Sequence, residues 1–229
     1  MKKIFVTATD TDAGKTMVAK ALLYALQQQH LQCVPFKPVA AGACWQGGQW
    51  RNDDALQLMG VCGLTVDAAS YHKTNPFCFA PAIAPHIAAA QAGVEVSVRV
   101  LREHVNSAFS EAVDCLLIEG AGGWLVPLNR AETLADFAEQ QGAGIVLVVG
   151  MKLGCINHAL LTQANLRQRG LRLLGWVANQ AQPEQMVEYE ANIASLTTLL
   201  DAPCLGVIPF VSDPNEALIA QYLATELLL

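Results

Sequence analysis

A three-layer α/β fold with a mainly parallel sheet is what this sequence predicts, and three observations carry the prediction. Six short apolar runs, at residues 3–8, 33–37, 115–119, 145–149, 173–178 and 204–208, are separated mostly by stretches of helical period. That alternation builds βαβ units with right-handed crossovers. The run 144–149 is apolar throughout, as a strand covered on both faces must be. The first run leads through a turn of small residues into Gly14-Lys15-Thr16, where a helical pattern opens. No internal repeat or low-complexity segment interrupts the 229 residues, so one domain over 1–229 is expected.

Composition narrows the function. At 53% hydrophobic and 15% charged, the chain is globular rather than disordered. Fourteen basic against 20 acidic residues give a net charge of −6 without a basic stripe, which argues against a nucleic-acid partner. The start, Met1-Lys2-Lys3, meets only a short apolar run ending in Thr7, Thr9 and Asp10. This is no secretory signal, and no segment has the roughly 18 apolar residues of a membrane span. Seven scattered cysteines, an odd number without metal-ligand spacing, read as reduced thiols of a cytoplasmic protein.

Along the chain, Ala8-Thr9-Asp10-Thr11-Asp12-Ala13-Gly14-Lys15-Thr16 is the first chemical signal. Strand, small-residue turn and Gly-Lys-Thr opening a helix (Val18, Leu22, Ala25, Leu26) form a phosphate-binding loop. Free N–H groups and the helix dipole there favour an anion. Asp12, Ala13, Gly14, Lys15, Thr16 and Met17 are the expected nucleotide-binding stretch. Lys15 would reach the β- and γ-phosphates and the Thr16 hydroxyl a Mg²⁺ ion. The first glycine of the usual pattern is Ala8 here, harmless if its φ is negative. The predicted fold is therefore of the P-loop NTPase type.

The second run ends in Lys37, at the sheet edge where doubly wound folds hold ligands. A solvated surface lysine is the competing reading. Residues 41–96 read as loops and short helices forming one wall of a site, with a helical signal at 53–59 and a Pro-rich stretch at 76–85. In Arg51-Asn52-Asp53-Asp54, one polar residue suffices to cap a helix, leaving a carboxylate for a metal. The 3–4 spacing of Val98, Leu101, Val105, Phe109 and Ala112 predicts an amphipathic helix over 97–112. Glu119 closes the apolar strand before Gly120-Ala121-Gly122-Gly123-Trp124, which is where phosphate-loop enzymes keep a Mg²⁺ acid. A loop at 150–154, a helix over 157–169 and a strand within 171–178 follow. That strand ends at Asn179, whose amide is able to read a purine edge. The last strand runs into Pro209-Phe210, and residues 216–229 predict a helical cap.

These pieces, with Lys37-Pro38-Val39-Ala40, Lys152-Leu153-Gly154-Cys155-Ile156-Asn157-His158, Gly175-Trp176-Val177-Ala178-Asn179 and Ile208-Pro209-Phe210, resemble dethiobiotin synthetases in order along nearly the whole chain. Two positions depart from that family: Ala8, and Ala41 where a serine is frequent. The resemblance implies a ligase of biotin biosynthesis. It takes CO₂ onto one amine of 7,8-diaminopelargonic acid as a carbamate, phosphorylates it with ATP and closes a cyclic urea, giving dethiobiotin, ADP and phosphate. It implies catalytic roles for Lys37, Lys15 and Thr11, and Mg²⁺ on Thr16, Asp54 and Glu119. Asp10, Thr11, Lys37 and Ala41 would face the substrate, and Asn179, Pro209, Phe210 and Glu216 the base. It further implies a homodimer, in which Leu153, Gly154, Cys155 and Asn157 meet the substrate held mainly by the other subunit. Cys155 is then pocket lining, His158 caps or packs in its helix, and His86 is structural or substrate-side. A partitioning-type switch ATPase would carry an extra lysine near Ala8-Thr9-Asp10, which is missing. An amidoligase would need a glutaminase domain, and a small-molecule kinase an Arg-rich lid, whereas 41–96 holds only Arg51.

Overall fold

The structure, a computed structural model, describes residues 1–109 and 112–228. Strand β1 (Lys2–Ala8) leads into helix α1 (Lys15–Gln28) and β2 (Cys33–Phe36). An insertion follows, made of β3 (Val39–Ala41), the hairpin β4 (Cys44–Gln46) and β5 (Gln49–Arg51), α2 (Asp53–Val61), α3 (Ala68–Thr74), β6 (Phe77–Phe79) and α4 (Pro85–Gln91). The chain returns through α5 (Val98–Ala108), β7 (Cys115–Glu119), α6 (Leu134–Gln140), β8 (Gly144–Gly150), α7 (Cys155–Gln168) and β9 (Leu173–Asn179). It closes with α8 (Tyr189–Leu199), β10 (Cys204–Ile208), α9 (Glu216–Ala220) and a 3₁₀ turn at Thr225–Leu228.

Six strands form one sheet in the order β10-β9-β8-β1-β7-β2, and every pairing is parallel. Because side chains alternate across a strand, β1 sends Ile4, Val6 and Ala8 toward Val18, Leu22 and Leu26 of α1. Phe5 points the other way, into Phe36, Leu101 and Phe137. Helices α7 and α8 cover Leu147, Val149 and Trp176 on that second side. This is the expected three-layer arrangement. After β1 the chain builds one side of the sheet with β2 and β7, then crosses to the other with β8. The carboxyl ends of β1, β7 and β8 thus flank the switch point where such folds bind ligands. Edge strand β2 carries Pro35, and the other edge, β10, is overlaid by the C-terminal turn, whose Ala224 N–H donates to the Leu205 carbonyl at 2.7 Å.

Several boundaries differ from the sequence reading. The helix expected at 97–112 ends at Ala108, with Phe109 extended behind it and Ala112 outside it; positions 110 and 111 lie outside the described residues. The helix expected from 157 begins at Cys155, because Gly154 in the left-handed region turns the chain into it early. The cap expected at 216–229 is broken into α9 and a 3₁₀ turn, and position 229 lies outside the described residues. Among the described residues no helix is long and apolar enough to cross a membrane.

Candidate active site

The loop after β1 is pinned to the neighbouring strands. Thr9 N–H donates to the Val148 carbonyl at 2.9 Å, and the Thr9 hydroxyl oxygen accepts from Gly150 N–H at 3.1 Å. Asp12 and Gly14 take positive φ, 61° and 83°. Ala8 does not, so its methyl costs nothing there. Gly14 is required twice over: besides its φ, a Cβ would stand 2.1 Å from Asn179 Nδ2. That amide donates to the Ala13 carbonyl at 2.8 Å, tying the loop to the end of β9 and leaving Asn179 Oδ1 buried without a partner. Lys15, at the start of α1, is buried, and burial holds its pKa below the usual lysine value against the pull of Glu119.

Lys37 sits one residue beyond β2 and is only 2% exposed. The solvated alternative is therefore wrong for this residue. Its ammonium donates to Glu119 Oε1 and to Asp54 Oδ2, both at 2.7 Å, and to the Gly120 carbonyl at 3.3 Å. Burial opposes the charge, but the two carboxylates outweigh it and raise the pKa. For Asp54 burial likewise acts against ionisation, and the Lys37 charge and hydrogen bond overcome it, so its pKa is lowered. The Thr16 hydroxyl donates to the same Glu119 Oε1 at 2.8 Å. Asn52 caps α2, accepting from Asp54 N–H at 3.1 Å, so the Asp54 side chain is spared for the site while Asp53 faces solvent.

Glu119 is fully buried, yet its Oε2 has no hydrogen-bond partner. An orphan carboxylate oxygen beside a threonine hydroxyl and a second carboxylate is a hard-oxygen donor set that fits Mg²⁺. Among the described residues no group of three or more His, Cys, Asp or Glu gathers for a metal. A divalent ion here would take part of its shell from phosphate oxygens and water, as Mg²⁺ usually does.

These groups open onto a cleft of about 1010 Å³ at the carboxyl ends of the strands. Thr11, Asp12, Met17, Ala41, Pro209 and Phe210 line it together with Gly14, Lys15, Thr16, Lys37, Asp54 and Asn179. Ala13 is buried beneath the loop. Asp10 turns away from the cleft, and its ion pair with Lys152 holds its carboxyl below the usual range. Glu216 starts α9 and pairs with Lys20 at 3.4 Å, outside the lining. Leu153, Gly154, Cys155 and Asn157 lie at the start of α7, outside this chain's lining, with Leu153 94% exposed and Cys155 buried. His158 and His86 stand in the first turns of α7 and α4, also outside it. Ala82, Ile83 and Pro85, from the stretch expected to wall the site, line it too, and the sequence reading missed the further apolar lining by Leu125, Val126 and Pro127. Nothing in the short stretch 125–127 signalled chemistry.

The chain matches the AAA domain family over residues 2–217. It is 46% identical to the ATP-dependent dethiobiotin synthetase BioD of Pseudomonas paraeruginosa, over 97% of this chain and 96% of that protein. The protein of the same name from Pseudoalteromonas translucida is 45% identical, over 92% of this chain and 91% of its own. The MinD cell division protein of Aquifex aeolicus shares the fold with a TM-score of 0.55, over 98% of this chain and 88% of that one, at 13% identity.

Proposed function

The chain belongs to the ATP-dependent dethiobiotin synthetases, ligases of biotin biosynthesis, and from that premise we propose how its cleft joins CO₂ to 7,8-diaminopelargonic acid. The carbamate formed on one amine and the triphosphate of ATP are both anions that must approach within bonding distance. Fixed cations have to screen that approach. Lys15, in the loop, faces the β- and γ-phosphates. Lys37, held rigid by Glu119 and Asp54, faces the carbamate and the transferred phosphoryl group. Thr11 offers a hydroxyl to the same oxygens. A Mg²⁺ ion held by Thr16, Asp54 and Glu119 would supply further neutralisation of phosphate charge. The second amine then attacks the carbamoyl phosphate, expelling phosphate and closing the urea. No side-chain nucleophile is needed.

The observation that carries this reading is the junction at Lys37. Loop, metal acids and second cation meet there through hydrogen bonds of 2.7–2.8 Å. Near it, Asn179, Pro209 and Phe210 take the nucleotide base, while the apolar wall suits an aliphatic chain. Leu153, Gly154 and Asn157, exposed around the start of α7, serve with the buried Cys155 the cleft of a second copy in a homodimer, and Asp10 stands beside them through its ion pair with Lys152. A cytoplasmic location agrees with seven free cysteines.

Incubation with diaminopelargonic acid, bicarbonate, ATP and Mg²⁺ should yield the cyclic urea with one phosphate released per ring. ATP hydrolysis without ring closure would overturn the assignment. Site sharing has its own test: mixed Lys15→Ala and Asn157→Ala chains should recover part of the activity that each lacks alone, and no recovery would return residues 153–157 to a single-chain role.

A further inference from the structure

The two residues that hold each other at the cleft floor come from separate parts of the fold. Lys37 leaves the central sheet, whereas Asp54 rides on α2 of the insertion, with a three-residue strand and an exposed hairpin between them. Their 2.7 Å contact is kept by something other than the chain that joins them. The carbonyl of Lys37 accepts from Asn75 Nδ2 at 2.7 Å, and the same amide group donates to the Phe77 carbonyl at 3.3 Å. Asn75 Oδ1 accepts from the Tyr71 hydroxyl at 2.9 Å. The hydroxyl oxygen in turn accepts from Asn52 N–H at 2.7 Å, and Asn52 caps the turn that carries Asp54. Asn52 Nδ2 also donates to the carbonyl of Ala41, a residue of the cleft lining, at 3.2 Å.

We infer that Tyr71 and Asn75 are positioning residues for the reaction: their buried hydrogen-bonded chain sets the placement of Lys37 against Asp54. Both are 2% exposed and neither lines the cleft, so neither touches substrate. The orientation of the Asn75 amide is fixed by its partners, and the Tyr71 hydroxyl also meets Cys78 Sγ at 3.4 Å. Two carbonyls facing one end of Asn75 demand its NH₂ group there, which leaves Oδ1 for the phenol. Burial pushes the Tyr71 phenol well above its usual pKa, which keeps the proton that the chain needs. A connected buried network of this kind is stiff, and a shift near 1 Å at a reacting group is enough to lower a rate by about 100-fold.

The inference rests on the proposed role of Lys37, and the test separates the two. Tyr71→Phe retains the ring and its packing under Arg51, whose guanidinium lies 5.7 Å from the ring centre, and removes only the hydroxyl. Its kcat is expected to fall about tenfold, the lower end for an outer-shell partner. The dissociation constant for ATP, measured without the diamine, should stay within about twofold. In an Asp54→Asn background the same substitution should change kcat by less than about twofold, since its effect passes through Asp54. An unchanged kcat, or the full tenfold loss again in that background, overturns the inference. If Tyr71→Phe does not fold, Asn75→Ser, which cuts the chain at its other link, is read by the same criteria. A fully active Lys37→Gln enzyme would instead overturn the proposed role of Lys37. An inactive Lys37→Gln beside an unimpaired Tyr71→Phe would overturn the positioning role alone.

Discussion

The two banks of the cleft are built on different principles. One bank is the edge of the parallel sheet: Glu119 and Asn179 are the last residues of fully buried strand ends, and Lys15 opens the helix that the β1 loop leads into. Its geometry is fixed by strand register, with Val6 opposite Glu119 and Gly150 opposite Asn179. The other bank, residues 39–91, consists of strands of three residues and helices of nine or fewer, too short to be stable alone. Ala55, Met59 and Tyr71 form a small core of its own, and its site-facing turn is set by polar links: a cap at Asn52, a phenol at Tyr71, an amide at Asn75. Strand register sets the first bank, whereas in the second a small core is supplemented by a buried hydrogen-bonded chain. Lys37 joins them.

Substitutions should therefore behave differently on the two sides. The largest effect is expected where they join: Lys37→Gln should lower kcat by about 1,000-fold, the upper range for one lost electrostatic donor. Steady-state kinetics on folded protein checks this, and a loss below tenfold would detach Lys37 from the chemistry. On the sheet bank, Glu119→Gln leaves the buried Lys37 with Asp54 as its one carboxylate partner. Chemical denaturation should show a loss of about 3 kcal/mol, and activity should need more Mg²⁺; an unaltered metal titration would remove Glu119 from the ligand set. Gly14→Ala should weaken ATP binding about tenfold, or ~1.4 kcal/mol, since a methyl there meets both a positive φ and Asn179. Calorimetric titration with ATP would register it.

Across the join, pH has a defined sign. Asp54 has a lowered pKa, so its contribution to stability is present above the unfolded value, about 3.9, and is lost as pH falls through the folded one. Lys37 has a raised pKa, so its contribution is complete below about 10.4 and is lost as pH rises through the folded value. The melting temperature should accordingly show a plateau between those limits, and Asp54→Asn should remove its share of the acid decline. The smallest effect is expected at the tip of the insertion. Trp45 and Trp50, at 5.2 Å in an edge-to-face pair, lie on the exposed face of the hairpin. Trp45→Ala should shift stability by about 0.5 kcal/mol and leave kcat unchanged.

The same contrast explains what the sequence disclosed. Continuous apolar runs revealed the six strands, and Lys37 and Glu119 were visible because each closes such a run. The insertion had no period to read: Tyr71 and Asn75 look like the end of an ordinary short helix, and three-residue strands at 44–46 and 49–51 cannot display alternation. Helix α8 escaped for a related reason, since Thr197, Thr198 and Ser195 spread polar groups among its leucines. Asn179 was legible as a site residue, but half of its amide serves Ala13, a tertiary contact that no local pattern encodes.

Both borders of the central sheet carry a feature that disfavours the addition of another strand. On one side Pro35 has no N–H to offer, and on the other the Ala224 N–H already takes the Leu205 carbonyl of β10. Association of two copies through helices or loops would be favoured over pairing at these borders. Each half of such a dimer would keep its own sheet intact, free to offer Leu153 and its neighbours across the seam.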